Sequence, residues 1–275
     1  MLRKNRTVIL TSDRPRHKHL INKSLSSKYL DVIDILIEPK IKKRSYKEIY
    51  KENEVMQKWL KNYEIEEKNI FSDKSINTKF TEVKSGELNS GEIAAKLKKL
   101  NPNILLVFGT GLIKKEIINI VPIILNLHLG LSPFYRGTAT TIWPFINKQP
   151  EYNGATIMKL DEGIDSGPII KLVLAEYEKY KGSQNIHIIN NMLNKKAIEV
   201  MIQEAESIAK GKKLSTVKQN LSLGKLYKNN DFKPNHIIEA NNYMKSEFKK
   251  TFLNNYKMIK SELITLLERN GLPYC

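Results

Sequence analysis

Two apolar runs, residues 104–108 without a break and 123–127 broken only by Asn126, are joined by a stretch with room for one short helix at 114–120. Strands buried on both faces lose polar–apolar alternation, and such strands lie in parallel sheets covered by helices. Parallel neighbours need a crossover, and the intervening helix supplies it. The same pattern opens the chain. Thr7-Val8-Ile9-Leu10-Thr11 is a β-branched apolar run, and Ser12-Asp13-Arg14-Pro15 turns the chain into a helix over 16–28. Residues 32–37 form a second buried strand closed by Pro39, and this β-α-β unit should cross over right-handed.

Residues 45–62 read as helix, and 80–83 fit an edge strand in a polar stretch. Asn89-Ser90-Gly91-Glu92 resembles a capping box opening a helix that carries Ile93, Leu97 and Leu100 and stops at Asn101-Pro102. A helix at 138–148 and strands at 154–160 and 168–174 continue the alternation. After 182 the character changes. Ser183 is placed to cap a helix with Ile186, Ile189, Leu193, Ala197, Met201, Ala205 and Ile208 on its apolar positions, ended by Gly211. Pro234 opens one or two further helices with an apolar stripe from Ile237 to Leu267. The expected fold class is α/β, a Rossmann-like mostly parallel sheet with helices on both faces, followed by a mainly helical C-terminal extension. The expected division is 1–210 and 211–275. The long stripe suits packing on its own domain or a homodimer interface.

At 275 residues the chain is long enough for a sizeable core. No apolar run approaches the roughly 18 residues of a membrane span. The basic start is followed by an apolar stretch that ends at Leu10, too short for a signal peptide. Cys275 is the only cysteine and forms no internal disulfide, so a reducing, cytoplasmic setting is expected. A net charge of +17 invites nucleic acid, but arginine occurs only at 3, 6, 14, 16, 44, 136 and 269 and the lysines are scattered. An anionic small substrate fits the same charge.

Asn126-Leu127-His128 ends the strand at 123–127, and ligands of open parallel sheets bind beyond the carboxyl ends of strands. Side chains two apart point the same way, so Asn126 and His128 can converge on one pocket. By position alone the pair serves equally as a strand-end cap and a loop residue. Asp161-Glu162-Gly163-Ile164-Asp165-Ser166-Gly167-Pro168 is a tight acidic turn that reads, alone, as a solvated loop. Gly109-Thr110-Gly111 is no dinucleotide fingerprint, because the third glycine of that motif would fall at Lys114.

Taken together, NLH at 126–128, SPFYRG at 132–137, Ile142-Trp143 and GATIMKLDEGIDSGPI at 154–169 resemble the core of the folate-dependent formyltransferase family, with FGTGLI at 108–113 upstream. The resemblance implies transfer of a formyl group from 10-formyltetrahydrofolate to an amine. It implies Asn126, His128 and Asp165 as the catalytic residues, with no metal. Asn126 would donate to the oxygen that gains negative charge, His128 would donate or mediate proton transfer, and Asp165 would orient the imidazole and help remove the amine's proton. The folate would lie against Phe108, Thr110, Leu112, Ile113, Asp161, Glu162 and Gly163, held mostly by backbone groups. Two departures stand out: Leu129-Gly130-Leu131-Ser132-Pro133 replaces the commoner Pro-Ser-Leu-Leu-Pro, and Lys114-Lys115 stand near where a proline is usual.

Three acceptors occur in that family. Ser12-Asp13-Arg14-Pro15 lacks the glycine-rich phosphate loop of glycinamide ribonucleotide enzymes, and residues 212–275 lack strand signals for the C-terminal barrel of initiator methionyl-tRNA enzymes. By elimination the resemblance points to sugar N-formyltransferases, which act on nucleotide-linked amino sugars for O-antigen, with Arg14 or Arg16 suited to a diphosphate. Methionyl-tRNA is the alternative, and a non-catalytic folate- or nucleic-acid-binding relative is the reading from a different class. A deformylase passing the formyl group to water would use the same three residues. Such enzymes usually carry an N-terminal regulatory domain.

Overall fold

The computed structural model describes residues 5–39, 45–72, 75–76, 78–180 and 184–275. The first half contains β1 (Asn5–Thr11), α1 (Pro15–Leu25), β2 (Leu30–Ile37), α2 (Tyr46–Ile49), α3 (Glu54–Phe71), β3 (Thr81–Glu82), α4 (Gly91–Leu100) and β4 (Ile104–Phe108). Then come α5 (Lys115–Ile118), β5 (Ile123–His128), β6 (Tyr135–Gly137), α6 (Trp143–Ile146), β7 (Gly154–Met158) and β8 (Ile169–Leu174). The chain ends with α7 (Ile186–Ala209), β9 (Lys225–Tyr227), α8 (Pro234–Ser246), α9 (Phe248–Thr251) and α10 (Tyr256–Arg269).

A seven-stranded sheet runs β3-β2-β1-β4-β5-β7-β8, parallel from β3 through β5, with β7 antiparallel to β5 and β8 antiparallel to β7. Both faces are apolar because successive side chains of β1 and β4 enter different cores. Val8, Leu10, Leu105 and Val107 join Ile93 and Leu97 of α4 and Ile117 of α5. Ile9, Leu106 and Phe108 join α1, α3, α7 and the C-terminal helices. Continuous apolar runs follow from that arrangement. The expected stripe of Ile237, Tyr243, Met244, Phe248, Phe252, Tyr256, Leu263 and Leu267 is buried in this second core, so the chain covers it with its own α3, α6, residues 150–152 and Tyr177.

Several boundaries differ from expectation for local reasons. The helix expected over 45–62 is two helices, because the Asn53 side chain accepts from Met56 N (3.0 Å) and caps a new start that runs to Phe71. The helix expected over 138–148 is the single turn α6, since Ala139 sits at φ +58° and the Thr140 hydroxyl bonds Leu129 O. Ser183 lies outside the described residues, and Asn185 caps α7 by accepting from His187 N (2.9 Å). Ser90 is the cap of α4.

Between α7 and α8 the chain is a strap rather than a helix. Val217 and Ile169 exchange two backbone hydrogen bonds of 2.8 Å at the edge of β8, and β9 pairs in parallel with β6. The C-terminal residues close the rest of that edge, with Leu172 N donating to Pro273 O (2.7 Å) and Cys275 N to Leu172 O (2.9 Å). Among the described residues no helix is long and apolar enough to cross a membrane.

Candidate active site

The neighbour order of the sheet reverses at β1, flanked by β2 on one side and β4 on the other. The loops leaving β1 and β4 therefore diverge, and a crevice opens at their carboxyl ends. A cleft of about 620 Å³ lies there. Its walls are the loop after β4, the end of β5, the segment 137–142, and an aromatic side made by Tyr46, Trp59, Tyr63 and Phe232. This volume falls in the ordinary range for small-molecule sites.

Asn126, His128 and Asp165 all line this cleft. Asn126 and His128 follow Ile124 on one side of β5. His128 is buried, with Nδ1 3.2 Å from Asp165 Oδ2 and Nε2 3.2 Å from Tyr135 O. Both ring nitrogens thus face acceptors, and a neutral ring has only one N–H for the two. Asp165 stands at φ +51°, in the left-handed region. Its Oδ2 also accepts from Gly137 N (2.9 Å), while among the described residues no hydrogen bond reaches Oδ1 or the Asn126 amide.

The chain after β5 is fixed by two threonines. Thr156 accepts from Ser132 N (2.9 Å) and donates to Gly130 O (2.7 Å), and Thr140 donates to Leu129 O. Gly130 is required by close approach: a Cβ there would stand 2.3 Å from His128 Nε2 and 2.6 Å from Tyr135 O. The Leu-Gly-Leu-Ser-Pro departure therefore packs the histidine.

Phe108, Thr110, Leu112, Ile113 and Gly163 line the cleft, with Ile113 buried and Leu112 exposed. Asp161 and Glu162 do not. Asp161 accepts from Gly163 N (3.1 Å) and Ser166 Oγ (2.9 Å), shaping the turn, and exposed Glu162 pairs with Lys115 at 3.4 Å. The loop after β4 is held by two residues that pattern alone did not single out as site residues. Glu38, at the end of β2, is buried and accepts from Gly111 N (2.9 Å) and Gly86 N (2.6 Å). Asn89 donates to Leu112 O (2.8 Å) and accepts from Lys114 N (2.7 Å).

Of the two arginines near the cleft, Arg16 is committed. It donates to Tyr63 Oη (2.7 Å) and pairs with buried Glu67. Burial pulls the Arg16 guanidinium down, but Tyr63 and the Glu67 carboxylate outweigh it and hold it above its ordinary value. Arg14 is half-exposed on the cleft wall, 3.8 Å from Glu67 Oε2. Behind the aromatic wall the buried His187 ring lies 4.1 Å from Trp59, and burial pushes it down to about 4. Among the described residues no group of three or more His, Cys, Asp or Glu side chains could hold a metal ion.

This crevice, with its Asn-x-His strand end facing an acidic turn, places the chain among doubly wound α/β proteins that bind ligands at a sheet's switch point. The formyl transferase family matches residues 6–203, and the chain belongs to that family. A methionyl-tRNA formyltransferase of Thermodesulfovibrio yellowstonii is 35% identical over 118 residues, 42% of this chain and 37% of that protein. In its length the chain spans well under half of that curated relative. Among solved structures, a 4-N formyltransferase from Francisella tularensis superimposes with a TM-score of 0.55 at 21% identity, covering 82% of this chain and 78% of that one. An N-formyltransferase from Helicobacter canadensis, complexed with folinic acid and dTDP-3-aminofucose, gives 0.54 at 14% identity over 85% and 79%. At these identities the likeness shows the fold.

Proposed function

We propose that the chain transfers a formyl group from 10-formyltetrahydrofolate to the amine of a nucleotide-linked amino sugar. The observation that carries the reading is the convergence of Asn126, His128 and Asp165 in one cleft, with the Asn126 amide and Asp165 Oδ1 left free of protein partners among the described residues.

The chemistry follows from that arrangement. The amine nitrogen bonds to the formyl carbon, and the formyl oxygen gains negative charge. The Asn126 amide donates to that oxygen from a preorganised position. The new ammonium loses a proton to Asp165 Oδ1, directly or through water, and N10 of the folate leaves as its bond to carbon breaks and it takes up a proton. His128 lies between Asp165 and Tyr135 O, and with its one N–H on Nδ1 it donates to the carboxylate and holds it in place. The loop 109–113 and Gly163 would take the pterin.

For the acceptor, half-exposed Arg14 suits a phosphate, and part-exposed Tyr46, backed by buried Phe232, offers a flat surface suited to a base or sugar. The Helicobacter neighbour, crystallised with a dTDP-linked amino sugar, supports this reading. Such an enzyme would work in the cytoplasm on precursors of surface polysaccharide. Methionyl-tRNA is the second reading, favoured by the charge of +17 and by the curated sequence relatives.

The test is tetrahydrofolate release from 10-formyltetrahydrofolate with dTDP- and UDP-linked 3-amino and 4-amino sugars, alongside methionyl-tRNA. Turnover with a sugar alone is expected, and Asn126→Ala should slow it by about a hundredfold. Turnover with tRNA alone replaces the sugar reading, release without any amine marks a deformylase, and no release at all overturns both acceptor readings in favour of a non-catalytic binding protein or another amine.

A further inference from the structure

We infer that Gln219, in the strap between α7 and α8, is a positioning residue for Asp165, so that the C-terminal segment takes part in proton transfer. The inference rests on the reading of Asp165 as the group that receives the amine's proton.

Asp165 holds a backbone conformation that L-residues seldom adopt, at φ +51°. Something must hold it there. Gln219 is buried, and its amide nitrogen donates to Asp165 O (3.1 Å) and to Gly167 O (2.6 Å). The two amide protons thus bridge two carbonyls of the acidic turn. The orientation of that amide is fixed by chemistry, because a flipped group would set Oε1 against two carbonyl oxygens.

The same strap governs the side chain of Asp165. Its Oδ2 is aimed by Gly137 N (2.9 Å), and Gly137 lies in β6, paired with β9. Gly137 has φ +91°, and a Cβ there would stand 2.1 Å from Tyr227 O, so only glycine lets β9 come this close. Lys225 N donates to Phe134 O (3.0 Å), Thr138 N donates to Tyr227 O (2.8 Å), and the Tyr227 ring stacks on Trp143 at 4.4 Å. At its other end the strap is tied through Val217 to Ile169. One segment therefore fixes the backbone of Asp165 through Gln219 and the donor that aims its carboxylate through β9. Gln219 lies outside residues 6–203 that match the family.

The test compares Gln219→Met, similar in length but without donors, Gln219→Glu, and Asp165→Asn in the full chain. Hydrogen–deuterium exchange of the free protein needs no acceptor. Amides of residues 163–167 should exchange faster in Gln219→Met, and unchanged exchange overturns the inference. Kinetics use 10-formyltetrahydrofolate with the dTDP- and UDP-linked amino sugars and methionyl-tRNA. In Gln219→Met, kcat should fall by about ten- to a hundredfold, the order expected when a reacting group is displaced by an ångström, with KM for 10-formyltetrahydrofolate unchanged. Gln219→Glu should recover turnover as pH falls, because its carboxyl becomes a donor once protonated. If Asp165→Asn turns over normally, the reading of Asp165 fails and the positioning role with it. If Asp165→Asn is inactive while Gln219→Met has wild-type kcat, only the positioning role fails.

Discussion

Removing the Glu38 carboxylate should loosen the loop after β4, which is proposed to take the folate. Glu38 Oε2 accepts from Gly111 N at 2.9 Å and Oε1 from Gly86 N at 2.6 Å, and no cation is needed because two backbone donors share the charge. Hydrogen bonds to a charged group contribute about 1.5–3 kcal/mol each. Gly86 and Gly111 are exposed, so water can reach both amides after the change, and the lower figure applies. Glu38→Ala then removes about 3 kcal/mol in all, of which the share at Gly111, about 1.5 kcal/mol, acts on the cleft loop. If that loop must be set before the pterin binds, the same amount appears in the binding constant as roughly a tenfold loss. Calorimetric titration with 5-formyltetrahydrofolate, which resembles the donor, measures it directly. Glu38→Gln keeps one carbonyl acceptor and should fall between wild type and Glu38→Ala. Binding by Glu38→Ala as tight as wild type would refute the argument, since the Gly111 contact would then be immaterial to the loop's bound form.

Two further outcomes follow from the buried charges. Glu67→Leu strands the Arg16 guanidinium with only Tyr63 beside it and should lower unfolding stability by about 3–5 kcal/mol, whereas Arg16→Met combined with Glu67→Leu should recover most of the loss; urea denaturation of the three variants decides it. His187, buried and lowered to about 4 from 6.5, is neutral in the folded protein while the unfolded chain begins to protonate near 6.5. The folded state binds fewer protons in that window, so stability falls as pH drops from about 6.5 to about 4, by about 3 kcal/mol in full. His187→Phe should flatten that part of a plot of urea midpoint against pH, and an unchanged slope would show that other groups cause it.

The parts of this fold legible in the sequence are those where one pattern has one physical solution. Residues 104–108, and 123–127 apart from Asn126, are apolar without alternation because β4 and β5 are covered on both faces, and their bounds fall within a residue of expectation. Asn126 and His128 were readable because a strand fixes the direction of alternate side chains. Asp165 was readable only through its family motif, since nothing local marks one acid of an acidic turn as the one that meets a histidine. The strands β6 and β9 were not readable. Each is three residues long, too short for a period of two to register, and their pairing joins segments ninety positions apart. The break before Asn53 was hidden by Lys51 and Glu52, which suit a helix interior as well as a turn. Glu38, Gln219 and Phe232 were silent for a deeper reason. Each acts on a partner distant in sequence, and a single Glu, Gln or Phe outside a motif carries no such address.

The division of labour within the cleft follows from where its parts lie along the chain. Asn126, His128, Asp165 and the loop 108–113 all fall within 6–203, whereas Phe232 and the strap carrying Gln219 fall beyond it. On the proposed reading, the chemistry requires a fixed oxyanion donor, a fixed proton acceptor and a fixed donor site, and the strand ends and the turn of Asp165 would supply them. Acceptors that differ in size and charge require a wall that can change without moving those strand ends. Phe232 lies in the buried layer beneath such a wall, set against Tyr46 at 5.3 Å and Trp143 at 6.1 Å by a segment anchored to the edge of the sheet and not to its centre. Gln219 shows the limit of such freedom. Once the strap also holds the turn of Asp165, its path from Val217 to Tyr227 cannot drift without disturbing that turn, so on the proposed reading variation in the acceptor wall would be confined to residues on either side of that path.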